Sequence, residues 1–280
     1  MRIIQVQEIA EAVSKLCIRS NYHLPPDVRA ALDRALKTEV SEQGRDVLAG
    51  LLKNADIASG EVFPLCQDTG VAVFIVEMGA ELCIEGGTLS QAIQQGVKTG
   101  YRDGYLRKSM VRDPLQRGNT GDNTPPVIWT QQIPGDKLHI LMAPKGGGSE
   151  NMSGIAMLKP SQGRDGVMDF IVKQVEQAGG NPCPPVIVGV GIGGTFEKCA
   201  WLAKKALFRR VGERHPDVYY AEFEEECLER INDLGIGPMG FGGRITALDV
   251  QVQTSPCHIA SLPVAVNIQC HSARHMECIL

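Results

Sequence analysis

The sequence predicts a mixed α/β protein, in which a helical N-terminal part packs on an α/β body with a mixed sheet. Apolar residues recur at three- and four-residue spacing through the first sixty positions, which indicates helices. From Val71 onwards, apolar runs and alternating patterns typical of strands appear between further helical segments. No repeat, low-complexity tract or linker divides the chain, so residues 1–280 are expected to fold as one unit, with 1–60 helical and 61–280 forming the body.

Three amphipathic helices are predicted at the N-terminus, each from one apolar stripe. The first stripe consists of Val6, Ile9, Ala10, Val13 and Leu16. The second begins just after Pro25-Pro26 and consists of Val28, Ala31, Leu32 and Ala35. The third ends near Gly60 and consists of Val47, Leu48, Leu51, Leu52 and Ala55.

The body begins with a predicted buried strand at 71–76, because the apolar run there is nearly continuous. A helix from about Leu89 follows, with Ile93, Val97, Tyr101 and Tyr105 at four-residue spacing. The polar, basic stretch 107–124 is rich in turn residues, and a long irregular segment inside a compact chain is usually functional or disordered. The remaining expected elements are strands near 127–129, 138–142, 186–190, 248–252 and 264–268, and helices near 167–178 and 196–208.

Composition excludes several classes of protein. The chain has 280 residues, 43% of them apolar and 21% charged, so it has enough apolar residues for a sizeable core. The formal net charge of −4 and the 5% aromatic content argue against a nucleic-acid-binding protein. Glu8 and Glu11 interrupt any secretory signal, and no run of about 18 apolar residues predicts a membrane span. A cytoplasmic protein is therefore expected. Its nine cysteines, an odd number, cannot all pair within the chain.

Two glycine-rich segments are candidate binding loops. Gly189, Gly191 and Gly194 satisfy the spacing of a dinucleotide fingerprint between a strand and a helix, but no acidic residue ends a second strand about 20 positions later. Close packing of that helix is the alternative interpretation. Gly146–Gly148 follow a strand, so their N–H groups could form an anion-binding nest, although the segment lacks the Gly-Lys-Ser/Thr ending of a P-loop. A flexible turn is the alternative for this second segment.

Three cysteines stand apart by their local context. None of the nine has CxxC spacing, and Cys17, Cys199 and Cys227 lie in helical patterns typical of core residues. Cys66 precedes the first buried strand, Cys183 has prolines on both sides, and Cys270 follows an alternating strand. Spacing alone does not show whether these three thiols meet in the fold.

Two Cys-His pairs, Cys257-His258 and Cys270-His271, also suggest zinc. Both pairs flank strand residues, and adjacent residues on a strand face opposite sides, so neither pair makes a good two-ligand unit. We therefore expect no zinc site.

Four motifs resemble those of one enzyme family and occur in the same order as in that family. They are Cys66-Gln67-Asp68-Thr69-Gly70, the segment from Arg117 to Pro125 (RGNTGDNTP), Gly146-Gly147-Gly148-Ser149-Glu150-Asn151, and Cys183-Pro184-Pro185 leading to Gly193-Gly194-Thr195. Together they resemble the class I (iron–sulfur) fumarate hydratases. The chain is most similar to the separate α subunit of the two-subunit form, which L-tartrate dehydratases share, and the resemblance covers nearly the whole chain.

The resemblance implies a 4Fe–4S cluster held by Cys66, Cys183 and Cys270, with one iron left open to act as a Lewis acid. It implies that Gln67 and Asp68 contact substrate or iron-bound water, and that Arg107 pairs with a substrate carboxylate. It implies, further, that Gly146, Gly147 and Gly148 offer N–H donors to substrate. His258 matches a substrate-contacting histidine of the family, the alternative being a hydrogen-bonded core imidazole.

The resemblance also implies a partner. Single-chain members continue into a second domain that supplies the proton-abstracting residue, so this chain is expected to need a β subunit, in a hetero-oligomer or a dimer of αβ pairs. The expected reaction is reversible hydration of fumarate to malate, a tricarboxylic acid cycle step. Dehydration of L-tartrate to oxaloacetate is the nearest alternative. A dinucleotide-binding domain and a non-catalytic scaffold subunit are the more distant alternatives.

Overall fold

A computed structural model describes residues 2–280 and confirms the mixed α/β class. The helices are α1 (Val6–Tyr22), α2 (Pro26–Thr38), α3 (Glu42–Ser59), α4 (Leu89–Asp103), α5 (Gly147–Glu150), α6 (Gly163–Ala178), α7 (Phe196–Ala206) and α8 (Val218–Asn232). The strands are β1 (Arg2–Gln5), β2 (Val71–Gly79), β3 (Leu82–Glu85), β4 (Val127–Ile133), β5 (Leu138–Lys145), β6 (Gly154–Leu158), β7 (Val186–Gly193), β8 (Ala247–Ser255), β9 (Leu262–Gln269) and β10 (Met276–Ile279). None of these helices combines the length and apolar content that a bilayer span requires.

The chain divides into two compact units, and each is built from separate segments. The first unit contains residues 2–25, Ala55–Gly147 and Arg274–Leu280. The second contains Pro26–Asn54 and Gly148–Ala273. This partition differs from the expected single unit with a helical block over 1–60. The predicted helices do form, but α1 packs on β5 and α4 in the first unit, whereas α2 packs on β8 in the second.

The first unit is built on a four-stranded mixed sheet with the order β10-β5-β2-β4. β2 pairs antiparallel to β5 and parallel to β4, and its fully buried Phe74 and Val76 lie in the same core as α1 and α4. Two glycines of α4 explain why these helices approach closely. A Cβ on Gly96 would lie 2.6 Å from the Cβ of Val13, and one on Gly100 would lie 2.8 Å from that of Cys17.

The second unit is built on a four-stranded mixed sheet with the order β6-β9-β7-β8. α6 and α8 share an apolar core with β7, β8 and β9, and α7 packs against β7 and β9 through a smaller cluster. Gly189 and Gly191 lie within β7, where added Cβ atoms would meet the carbonyl oxygens of Ala203 and Cys199 at 2.3 and 2.0 Å. These two glycines therefore serve close packing of α7, which was the alternative to the dinucleotide interpretation.

Several local features differ from the sequence pattern. Tyr105 lies beyond α4, because the helix ends at Asp103 and Gly104 caps it. Tyr105 has a φ of +51° and is 90% exposed. The sequence pattern does not predict the short strands β1, β6 and β10. Each has four or five residues, which is too few for a pattern of alternation to stand out.

A buried carboxylate, that of Glu39, joins the end of α2 to the segment before β8 in the second unit. Glu39 is 2% exposed, and its two oxygens accept hydrogen bonds from the backbone N–H groups of Val40, Ser41, Arg244 and Ile245 at 2.8–2.9 Å. Burial opposes ionisation of this group, but the four donors outweigh it and hold the pKa of the Glu39 carboxyl below its usual value. The ionised glutamate therefore stabilises the folded state.

We predict that Glu39→Gln lowers the free energy of unfolding by about 1–3 kcal/mol at neutral pH, because one oxygen acceptor becomes an NH₂ donor facing N–H groups. The folded-state pKa is depressed, so this contribution is present above the usual glutamate pKa of about 4.3 and is lost as pH falls through the lower folded value. Urea denaturation at several pH values checks this, with the exposed Glu42→Gln as control. A difference between Glu39→Gln and wild type that does not shrink at acid pH would contradict it.

Candidate functional site

Cys66 lies in the irregular segment 60–70, which we call the Cys66 segment and which directly precedes β2 in the first unit. The Cys66 side chain is half-buried, and its Sγ atom accepts a hydrogen bond from the backbone N–H of Asp68 at 3.4 Å. The same thiol lies 3.5 Å from Oε1 of Gln67, whose side chain is exposed. The Cys66 Sγ atom therefore has one donor, the N–H of Asp68, and one acceptor, the Oε1 atom of Gln67, beside it.

The carboxylate of Asp68 joins the Cys66 segment to Gly147, in the glycine segment 146–148. Both residues belong to the first unit. Its Oδ1 accepts from the N–H of Gly70 at 3.0 Å, and its Oδ2 accepts from the N–H of Gly147 at 2.8 Å. A Cβ on Gly146 would lie 3.2 Å from Oδ2, tighter than an ordinary contact. The structure therefore brings Cys66, Asp68 and the first part of the glycine segment together. It also shows that the N–H of Gly147 already has an internal partner.

Two buried side chains, Tyr101 and Asn123, hold the end of this segment. Neither is a site residue predicted from the sequence. The hydroxyl of Tyr101 donates to the carbonyl oxygen of Thr69 at 2.6 Å, and burial raises the pKa of Tyr101 far above its usual value, so the hydroxyl stays protonated. The amide of Asn123 donates to the carbonyl oxygen of Gly70 at 3.1 Å and accepts from the N–H of Ser109 at 2.6 Å. Asn123 belongs to the polar motif noted above, whereas Tyr101 had only an apolar helical spacing.

Arg107 is held beside the same segment through its backbone. The hydroxyl of Thr69 donates to the Arg107 carbonyl oxygen at 2.7 Å, while the Arg107 side chain is exposed. An exposed guanidinium on a fixed backbone presents five donors in a planar fork to an external carboxylate. The structure thus places Arg107 near the Cys66 segment.

Cys183 and Cys270 come together in the second unit. Cys183 lies three residues before β7 and Cys270 directly follows β9, and these strands are antiparallel with Ile187 opposite Gln269. The start of one strand therefore lies beside the end of the other. The backbone N–H of His271 donates to the carbonyl oxygen of Cys183 at 3.3 Å, so the two cysteine segments are in contact. Cys183 has a φ of +56°, outside both helix and strand geometry.

The later part of the glycine segment also belongs to the second unit. A Cβ on Gly148 would lie 3.7 Å from the carbonyl oxygen of Asn181, two residues before Cys183. Glu150 lies two residues after Gly148, at the end of α5. Its carboxylate pairs with the ammonium of Lys204 and accepts a 3.0 Å hydrogen bond from the amide of Asn267. α7 and β9 thus supply the cation and the donor that fix the short helix α5.

His258 lies at the other end of the same sheet. It is exposed in the loop between β8 and β9, where the N–H of Ser261 donates to its carbonyl oxygen at 2.9 Å and the N–H of Ala260 faces Nδ1 at 3.1 Å. β9 has eight residues between this loop and Cys270, which corresponds to about 26 Å at the usual rise per residue. Within one chain, His258 therefore does not approach Cys183 or Cys270.

The nine thiols differ in their ability to bind a metal cluster. Burial raises the pKa of Cys17, Cys199, Cys227 and Cys278, to about 12 at Cys227, so these thiols stay protonated. Cys66, Cys183 and Cys270 are partly exposed and lie outside helices and strands, whereas Cys83 and Cys257 are exposed thiols. No three His, Cys, Asp or Glu side chains within residues 2–280 converge on a single-ion site. Three accessible thiols are chemically suited to ligate a 4Fe–4S cluster, in which each cysteine binds a different iron.

The chain is similar to known proteins over nearly its whole length. Residues 10–279 match the sequence model of the family described as Fumarate hydratase (Fumerase). The chain is 44% identical over 273 residues to a Methanocaldococcus jannaschii protein named "Putative L(+)-tartrate dehydratase subunit alpha", covering 95% of each chain. It is 32% identical over 272 residues to the L(+)-tartrate dehydratase subunit alpha of Escherichia coli K12, covering 96% of this chain and 89% of that relative.

The geometry of Gly70 yields a test of the Cys66 segment. Gly70 has a φ of +68°, and an added Cβ would lie 2.7 Å from the backbone of Lys145. We predict that Gly70→Ala destabilises the protein by more than the roughly 1–2 kcal/mol of a left-handed alanine alone, because the backbone of β5 must also shift.

Two glycines of the same unit serve as matched controls. Gly121 has a φ of +82° and open space around it, and Gly118 has open space and no left-handed φ. Alanine at 121 is expected to cost about 1 kcal/mol, and alanine at 118 about 0.5 kcal/mol or less. Denaturant unfolding of the three variants measures this order, and equal losses at positions 70 and 121 would show that the contact with Lys145 is unimportant.

Proposed function

The chain belongs to the fumarate hydratase (Fumerase) family of hydro-lyases, and on that premise we propose that it is the α subunit of an iron–sulfur enzyme acting on a four-carbon 2-hydroxy dicarboxylate. The observation that carries this proposal is the contact between Cys183 and the residue after Cys270 at one end of the second sheet. Two cysteines that local sequence context sets apart, 87 positions apart in the sequence, lie on backbone segments that are in contact there.

We propose Cys66, Cys183 and Cys270 as the ligands of a 4Fe–4S cluster. All three are partly exposed thiols, and the Sγ atom of Cys66 is oriented by the hydrogen bond that it accepts from the N–H of Asp68. When bound, such a cluster with three protein ligands supplies one iron as a Lewis acid toward a hydroxyl or carboxylate oxygen.

Residues of this chain would bind and orient the substrate. Arg107 is proposed to hold one carboxylate through its exposed guanidinium, while the hydrogen bond from Thr69 fixes its backbone. Gln67 is proposed to contact the substrate hydroxyl, because its amide is exposed next to the Cys66 thiol. The Asp68 oxygens each retain acceptor capacity beyond the internal hydrogen bond, so this carboxylate can also accept a proton or hydrogen bond from water.

The glycine segment divides into two roles in this proposal. The N–H of Gly147 is taken by Asp68, so this residue positions the segment. Gly148 is exposed and lacks a side chain, so its backbone is open to a substrate carboxylate. Gly146 packs beside Asp68, where a larger residue would push the carboxylate away.

A β subunit is proposed to supply the base that removes the proton from the substrate carbon. The relatives of this chain are named alpha subunits, which implies a second subunit in those proteins. His258 lies about 26 Å along β9 from Cys270, so a role for it in substrate binding would require a neighbouring chain.

L(+)-tartrate is the substrate that the names of the relatives favour, and fumarate hydration is the second candidate. Fumarate was the expectation from sequence, and the description of the matching family supports it. The relatives at 44% and 32% identity are instead named tartrate dehydratase subunits. We therefore propose dehydration of L(+)-tartrate to oxaloacetate as the reaction, with hydration of fumarate to malate as the reaction to test beside it.

Cluster binding is tested by changing single cysteines and reconstituting the chain anaerobically with iron and sulfide. Wild type should bind about four irons per chain and absorb broadly in the visible range. Cys66→Ser, Cys183→Ser and Cys270→Ser should each lose most of the iron, whereas Cys83→Ser and Cys257→Ser, which alter exposed thiols, should retain it. Retention of the full cluster by Cys183→Ser would disprove the assignment.

Substrate choice is tested with the α and β chains purified together. Each chain alone should be nearly inactive, because the proton-abstracting group and the carboxylate-binding residues are proposed to lie on different polypeptides. In the complex, kcat/KM for L(+)-tartrate should exceed that for malate by at least about 100-fold, since a site that binds the second hydroxyl leaves polar groups unpaired with malate. The reverse preference would identify the enzyme as a fumarate hydratase.

A further inference from the structure

Arg274 is the largest of the fully buried side chains within the described part of the chain, with 1% of its surface exposed. It lies in the first unit, two residues before β10, and belongs to no motif used above. Arginine is almost never fully buried unless it is paired, because removing the cation from water is costly. Its position therefore calls for an explanation from its contacts.

Both hydrogen-bond acceptors of this guanidinium are neutral. Nη2 donates to the carbonyl oxygen of Asp68 at 3.0 Å, and Nη1 donates to Oδ1 of Asn21 at 3.0 Å. Nε is buried and has no hydrogen-bond partner among the described residues. A hydrophobic side chain could fill the same volume without the cost of burying a charge, so the hydrogen bonds themselves are the contribution that arginine makes.

The two acceptors lie on either side of Cys66. Asp68 is the residue whose N–H donates to the Cys66 Sγ atom, and its carbonyl is the group that Arg274 holds. Asn21, the second acceptor, receives the N–H of Leu65 on its own carbonyl oxygen at 2.8 Å. Arg274 and Asn21 thus fix the chain immediately before and two residues after the cysteine.

We infer that Arg274 is a positioning residue for the Cys66 segment. Its planar fork holds the Asp68 carbonyl and the Asn21 amide at fixed separation, and so sets the direction in which the Cys66 thiol and the Asp68 carboxylate point. A lysine cannot hold both acceptors in one plane, because its ammonium is a single point on a flexible stem. The effect on catalysis rests on the hydro-lyase function proposed above, whereas the effect on the segment does not.

Hydrogen–deuterium exchange of the whole apo chain, reduced and under anaerobic conditions, tests this inference. In Arg274→Gln the amides of residues 65–71 should exchange about tenfold faster than in wild type, because a charge-assisted hydrogen bond to the segment is lost. Arg274→Lys should show a smaller increase. Arg102→Gln alters a guanidinium in the same unit that is paired with Asp103 and 69% exposed, and it should leave the segment unchanged.

The strands of the same unit separate positioning from simple anchoring. Peptides from β5 and from residues 72–79 of β2 should exchange at wild-type rates in both Arg274 variants. Equal acceleration of these strands and of residues 65–71 would mean that Arg274 only stabilises the unit, and unchanged exchange at 65–71 would mean that it does not hold the segment. Either result overturns the inference. If Arg274→Gln fails to fold, Arg274→Lys decides between the same outcomes because it keeps the cation.

Kinetics of the αβ complex give a second readout. Arg274→Gln should lower kcat by roughly 10–100-fold with KM changed by less than about threefold, because misplaced groups reduce turnover more than binding. Arg274→Lys should recover part of the loss. A rise in KM at unchanged kcat would overturn a positioning role in catalysis. Absence of hydro-lyase activity in wild type would refute the proposed function alone, since the exchange experiment does not depend on it.

Discussion

The organisation of the first unit around Cys66 depends on one residue, Asp68, whose backbone and side-chain polar groups all have partners. Its N–H donates to the Cys66 thiol, its carbonyl accepts from Arg274, and its two carboxylate oxygens accept from Gly70 and Gly147. Four hydrogen bonds on one residue fix the peptide planes on both sides of it and the rotamer of its side chain. The cysteine segment, the glycine segment and the C-terminal strand therefore share one geometric reference.

The sequence predicts most long elements of this fold but not the partners against which they pack. An apolar stripe shows that a helix buries one face, and both α1 and α2 do so. It carries no information about which sheet receives that face, so the division of these helices between two units could not be anticipated. Tyr105 shows a second limit. The four-residue spacing of apolar side chains continues past Gly104, but the helical backbone ends at Asp103.

The candidate site was predictable where local context was unusual and unpredictable where it depended on pairing between strands. Prolines around Cys183 and the strand before Cys270 distinguish these two cysteines, but the contact between their backbone segments follows from the antiparallel register of β7 and β9. The same register places His258, only twelve residues before Cys270, at the opposite end of β9, because an intervening strand turns closeness in sequence into distance in space. The role of Tyr101 could not be predicted, because a hydrophobic pattern does not distinguish a tyrosine that donates a hydrogen bond from an apolar core residue.

Polar rather than apolar side chains hold the Cys66 segment, and the physical difference between the two explains why. Asn21, Thr69, Tyr101 and Asn123 are each fully buried, and each forms hydrogen bonds to the backbone of this segment or of a neighbour. Apolar packing fills volume without direction, and a buried hydrogen bond adds only about 1 kcal/mol of net stability. What such bonds add is orientation, because each fixes a particular carbonyl or N–H. The site proposed above would present a thiolate, a carboxylate and a guanidinium to one small dianion. Such a site would gain more from fixed directions than from added stability, since a displacement of about 1 Å can cost on the order of 100-fold in rate.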